Sequence, residues 1–140
     1  MDDATLTKLV CAILGRLPGW AWREHGPAYT AAEVGIFYGP IDTTPDRAIG
    51  VRVYGSSDSV DDSGAPTRRV QLTIRGEEGR PDGADHLAHF AFLVLHGRPR
   101  GGGINGISRT SMGPLGADDN GREQRSENYT ITLDNPEASE

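Results

Sequence analysis

Several residues in this chain have the types and spacings from which chemistry could be built. His86 and His89 stand three apart, and His96 follows seven residues later on nearly the same helical face. Two imidazoles so spaced can share a metal, but a metal site also needs a third ligand and groups that orient the rings. Neither an HExxH pattern nor a cysteine accompanies them, so a solvated polar face is the better account. A small metal-dependent enzyme using His86, His89 and a loop carboxylate is the weaker alternative. His25, in its loop, is read the same way.

The segment Gly116 to Glu127 lays onto the calcium loop with Asp118 at position 3, Asn120 at 5, Gly121 at 6 and Glu127 at 12. Position 1 is Gly116 where that loop needs an acid, and no helices flank the segment. An Asp-Asn-Gly turn before a strand accounts for it better. Gly101-Gly102-Gly103 suggests a phosphate loop, yet a Walker motif needs a lysine after its last glycine, and Lys8 is the chain's only lysine. The dinucleotide fingerprint runs strand, glycines, helix. Here the order is reversed, so a helix-to-strand connector is expected.

Cys11 sits mid-helix between apolar neighbours, where burial raises a thiol pKa and leaves it inert. The acidic pairs Asp61-Asp62 and Asp118-Asp119 lie in loops with nothing to divide them into acid and base. Asn128-Tyr129-Thr130 matches a glycosylation sequon but falls in a strand of a chain with no secretion signal. Each catalytic proposal fails on a named residue. The expectation is a protein that is no enzyme and has no catalytic residues, cofactor or metal.

The elements that must position these residues follow from periodicity. Leu6, Leu9, Val10, Ile13, Leu14 and Leu17 make one stripe of a helix from Asp3 to Leu17, capped by Asp2 or Asp3 and ended by Gly15 and Pro18-Gly19. Residues 18–33 read as a connector. Its Trp20 and Trp22 either fold over the core edge or anchor an interface, where Trp is enriched among hot spots.

Val34 to Gly39 is a continuous apolar run, as in a central strand. Ile49, Val51 and Val53, then Val70, Leu72 and Ile74, alternate with polar residues or glycine, as half-buried strands do. Between them, residues 56–67 form a long polar loop carrying Asp58, Asp61 and Asp62, expected to be mobile until assembly. A second helix is signalled by Asp82 as N-cap and by Leu87, Ala88, Ala91, Val94 and Leu95 on one stripe, widened by Phe90 and Leu93. Gly97 is its left-handed terminator. Strand signals at Ile107 to Met112 and at Tyr129, Ile131 and Leu133 flank a turn-rich segment, and DNPEASE reads as a frayed tail.

The predicted order is α-β-β-β-α-β-β. It implies an α+β fold with two helices packed on one face of a small antiparallel or mixed sheet. Residues 1–134 read as one domain, with 135–140 as a disordered tail.

With 36% apolar residues in a chain of 140, the core is expected to be thin and partner subunits to supply some stability. A net charge of −6 argues against binding nucleic acid through phosphates. One cysteine excludes an internal disulfide and fits a reducing compartment. No apolar stretch approaches membrane-spanning length, so a soluble, unsecreted protein with no membrane partner is expected.

Five segments in order, VGIFYG, TTPDRAIGVRVYG, RRVQLTIRG, PDGADHLAHFAFLVLHG and RTSMGPLGADDNGREQRSENYTITL, resemble the minor capsid or tail-terminator family of siphophages. The most specific piece runs from Arg109-Thr110-Ser111 through Pro114-Leu115-Gly116, Gly121-Arg122 and Arg125-Ser126 to Asn128-Tyr129. The likeness spans residues 34–133. It departs in the Trp-rich LPGWAWREHG.

The resemblance implies a virion protein assembled in the host cytoplasm. Its subunits would form a ring, usually hexameric, on the head-proximal end of the tail tube. The ring stops tube polymerisation and offers a docking face to head-completion (stopper) proteins. Its expected partners are copies of itself, the major tail tube protein and the head-completion protein, while DNA passes through the lumen without specific binding. A neck connector docking on the portal side is the alternative. Arg109, Arg122 and Arg125 are expected in subunit contacts, since arginine is enriched at interfaces and none has an obvious core role. Asp58, Asp61 and Asp62 are expected to face the channel.

Overall fold

The computed structural model describes residues 1–58 and 65–134. The 56–67 loop is thus described only at its ends. Asp61, Asp62 and the expected frayed tail 135–140 lie outside the described residues.

Helix α1 spans Asp3–Leu14. The Asp2 carboxylate accepts the Thr5 N–H at 2.7 Å, which satisfies one of the free donors of the first turn. Leu6, Val10, Cys11, Ile13 and Leu14 are buried along its stripe. The helix stops one turn before the expected Leu17. Gly15 is where the chain closes on Trp22: a Cβ there would lie 2.9 Å from the Trp22 Cβ. Arg16 and Leu17 donate instead to the Ile13 and Leu14 carbonyls, a tighter three-residue turn.

Six strands form one sheet: β1 (Trp20–Trp22), β2 (Val34–Tyr38), β3 (Ala48–Ser57), β4 (Thr67–Arg75), β5 (Ile104–Ala117) and β6 (Glu123–Leu133). Helix α2 (Gly83–Leu95) lies between β4 and β5 in the chain. The spatial order is β1-β2-β3-β4-β6-β5. β1, β2 and β3 run parallel, and the remaining pairs are antiparallel. The α+β class and the mixed sheet are as expected, with one strand more than periodicity shows. Trp20–Trp22 is that strand, not a connector; three residues are too few to display an alternation.

The segment read as turn-rich is mostly the long β5–β6 hairpin, and only residues 118–122 turn. Cross-strand partners place Ile49 beside Ile74, Val51 beside Leu72 and Val53 beside Val70 on the face that the helices cover. α1 packs over β1, β2 and β3, and α2 over β4, β5 and β6.

α2 approaches the sheet closely because small residues meet there. Ala84, Ala88 and Ala91 are buried, and a Cβ on Gly76 would lie 2.6 Å from the Ala84 nitrogen. Gly97, with φ of 72°, ends the helix as expected, and its N–H reaches the Ile107 carbonyl. Asp82 takes the N-cap position as expected. The Asp82 carboxylate makes no capping bond and holds His86 Nε2 at 3.0 Å instead. Phe90 and Leu93 do not widen the buried stripe: they are 47% and 60% exposed, because Ala88 and Ala91 already fill the line of closest approach. No helix among the described residues is long and apolar enough to cross a membrane.

Candidate functional site

β6 continues its two-residue period through polar side chains. Leu133, Ile131 and Tyr129 face the helices, and so do Glu127 and Arg125, which pair across with Leu72 and Ile74. Glu127 is completely buried in this row. Its Oε1 accepts Arg109 Nη1 at 3.0 Å, and its Oε2 accepts Nε and Nη2 of Arg125, each at 3.3 Å. Arg125 Nη1 also reaches Asp85 on α2 at 2.9 Å. The Arg109 guanidinium lies 4.3 Å over the Phe92 ring, and its backbone N–H donates to His96 Nδ1 at 3.0 Å. One buried carboxylate thus joins two arginines that fasten the hairpin to α2.

Beside this cluster, the Tyr129 hydroxyl is buried and has no hydrogen-bond partner among the described residues. Burial and the nearby Glu127 push its pKa well above the usual tyrosine range. Tyr129→Phe removes a polar atom whose hydration is lost without a replacement bond. It should leave the fold unchanged or about 1 kcal/mol more stable in urea denaturation. A clear loss of stability would show that the hydroxyl has a role the contacts do not reveal.

Two further arginines clamp the loop before β3. Arg75, 5% exposed, donates from Nε to the Asp46 carbonyl at 2.8 Å. Its Nη2 donates to the Asp42, Pro45 and Thr43 carbonyls at 2.8, 2.7 and 3.3 Å. Arg122, also 5% exposed, reaches the Thr43 carbonyl at 2.7 Å, Asp46 Oδ1 at 3.2 Å and Asp118 Oδ2 at 2.9 Å. The idea that Arg122 and Arg125 have no core role is therefore corrected: both are tied to partners within the chain. Arg109, with 31% of its side chain exposed, is the most accessible of the three.

The motif residues do not converge. Asp118 Oδ1 accepts the N–H groups of Asn120 and Arg122, each at 2.9 Å, and Arg122 takes the other oxygen, so this carboxylate organises a turn. Glu127, the other end of the calcium-like spacing, is under α2. His86 pairs with Asp82 while His96 is held by β5, so the histidines serve separate contacts. Burial pushes the Cys11 thiol up to about 12, as its place in the helix implied. Gly101 exchanges backbone hydrogen bonds with Ile104 in the turn that leads into β5.

At the β1 edge, Trp20 and Trp22 are half-buried against the core. Trp22, Tyr29, Ile36, Phe37 and Tyr38 line a groove of about 700 Å³. Its β1–β2 wall is pinned by Arg23, whose guanidinium meets the Glu33 carboxylate at 2.9 and 2.6 Å and lies 4.7 Å over the Tyr29 ring.

Hydrogen bonds from Arg23 and from the Thr30 backbone bring the Glu33 pKa from 4.5 to about 2. A carboxylate depressed on folding stabilises the fold above its unfolded pKa, and that contribution is lost as pH falls through the folded value. This wall should therefore loosen between about pH 4.5 and pH 2. Tryptophan fluorescence should follow the change, and Glu33→Gln should flatten it. Asp58, 55% exposed at its side chain, holds Arg68 at 2.6 Å, and Arg68 also meets Asp3 at 2.8 Å.

The described surface is apolar in places that periodicity does not mark. Besides Phe90 and Leu93, Met112 and Leu115 on the hairpin are 46% and 55% exposed, and Tyr38 at the groove is 48% exposed. The sequence does offer one signal for the hairpin pair: two large apolar residues among glycines and a proline, in Met-Gly-Pro-Leu-Gly, where no core partner is implied.

The model of the bacteriophage tail terminator protein family matches residues 19–135. The chain belongs to the phage tail terminator family. It is therefore a structural protein of the phage tail, not an enzyme. Among solved structures, a chain described as "Virion of native gene transfer agent (GTA) particle" has the same fold. The TM-score is 0.59 at 9% identity, over 91% of this chain and 85% of that one. No curated protein matches the sequence. The family model starts at Gly19, so it takes in the Trp-rich β1 segment where the likeness in sequence was weakest.

Proposed function

We propose that this terminator closes into a head-to-tail ring, hexameric as is usual in its family, on the head-proximal end of the tail tube. There it stops tube polymerisation and presents a docking face to head-completion proteins, while DNA passes through the lumen. Head-to-tail closure needs two different surfaces on each subunit. What supports the reading is the contrast between the two sheet edges. The β5 edge carries a hairpin with Met112 and Leu115 exposed, and the β1 edge carries the aromatic-lined groove.

Exposed apolar side chains at a protein's edge mark interaction sites. Arg109, Trp20 and Trp22 are the partly exposed contact residues in this scheme. Arg122 and Arg125 act by holding the hairpin in position, and Asp58 sits at the base of the loop proposed to face the channel.

Mass photometry of the chain, alone and with tube protein, tests the ring. A closed oligomer is expected, and Met112→Glu combined with Leu115→Glu should abolish it while leaving thermal unfolding of the subunit unchanged. Monomers alone, even with tube protein present, would overturn the proposal.

A further inference from the structure

Arg16, Arg98 and Arg100 line one cleft of about 450 Å³, between the end of α1 and the connector from α2 to β5. Leu9, Ile13 and Ile104 form its apolar floor, and among the described residues no carboxylate lines it. Arg100 Nε meets Asp134, which is outside the lining, at 3.1 Å, and Arg98 donates one N–H to the Val94 carbonyl at 3.3 Å. Each guanidinium offers five donors, so most have no partner among the described residues. In a chain of net charge −6, this is a local reversal of sign.

We propose that this cleft docks an acidic polypeptide segment, with at least one apolar side chain, from another protein. Guanidinium forks match carboxylates in a bidentate geometry and hold them better than a point charge would. The apolar floor adds a demand that a phosphate backbone cannot meet, because duplex DNA presents charge with no aliphatic side chain to bury. The molecule's overall negative charge also opposes a long polyanion more than a short acidic segment. The docking needs only the subunit, so it stands or falls separately from ring closure.

Fluorescence anisotropy on the full chain, with a labelled eight-residue peptide of alternating glutamate and leucine as probe, gives the test. Binding is expected at low salt and should weaken as salt screens the charges. Arg16→Glu combined with Arg98→Glu should weaken it by about tenfold or more, with thermal unfolding unchanged. A glutamine-for-glutamate peptide and a serine-for-leucine peptide should each bind less tightly. Failure of the probe to bind, or equal binding to the double variant, overturns the proposal. So does a duplex oligonucleotide that binds as tightly as the peptide, which would make the cleft a general anion patch. If removing residues 135–140 raises peptide affinity about tenfold, the chain's own end fills the cleft, and docking of another protein is also overturned.

Discussion

Glu127→Ala will cost this protein about 3 kcal/mol of folding stability, at the lower end of what breaking a buried ion pair costs. The carboxylate is fully buried, and three guanidinium nitrogens of two arginines donate to it. Removing it leaves Arg109 and Arg125 facing each other across a cavity without the charge that reconciles them. The cost stays near the lower end because both arginines lie near the surface, and Arg125 keeps Asp85 as a partner.

A domain of this length is held by only 5–15 kcal/mol, so the melting temperature should drop by roughly 6–12 °C. Urea denaturation should show a lower midpoint at unchanged slope. Replacing Glu127, Arg109 and Arg125 together with apolar residues of similar volume should recover most of the loss, because the desolvation of all three charges is then avoided. If the single variant melts like the wild type, the cluster is a surface feature of little energetic weight. Its second effect is on assembly: these arginines fasten the hairpin to α2, so the ring should weaken beyond what the stability loss predicts.

Arg75→Met should be next in size, at about 2–3 kcal/mol. Arg75 is a buried cation whose hydrogen bonds go to backbone carbonyls of residues 42–46 and to no carboxylate. Burial, and the neighbouring Arg122 charge, lower its pKa, although a guanidinium keeps its proton at any ordinary pH. Methionine keeps much of the stem's volume but leaves those carbonyls short of donors, the Pro45 carbonyl being the most deeply placed. The loop they belong to lies over β3: a Cβ on Gly50 would collide with the Gly39 carbonyl oxygen. Hydrogen exchange should therefore speed up in residues 39–47 and in β3, leaving α2 protected. Uniform loss of protection over the whole chain would show instead that Arg75 supports the global fold.

Local pattern was sufficient for the helices, the five strands other than β1 and the class of the fold. A stripe of period 3.6, or an alternation of period 2, states which face must leave water, and Leu6 through Leu14 or Val70 through Ile74 carry that instruction whatever surrounds them. The inert Cys11 was equally legible, since its neighbours on the helix are apolar. Ordered likeness over most of the chain carried the family.

Tertiary structure alone decided what lies far apart in sequence. β1 exists because Trp20–Trp22 finds a parallel partner in Val34–Ile36, a pairing that three residues cannot announce. Arg125 and Glu127 sit at core-facing positions of a strand whose apolar members begin only at Tyr129. Their period was visible, but charges are counted as surface until a partner is known, and Arg109 is 18 residues from Glu127. Phe90 and Leu93 satisfy the helical stripe yet remain in water, because the sheet meets the alanine side of α2. Periodicity tells a side chain to leave water, but the chain's fold decides whether a partner waits on that side.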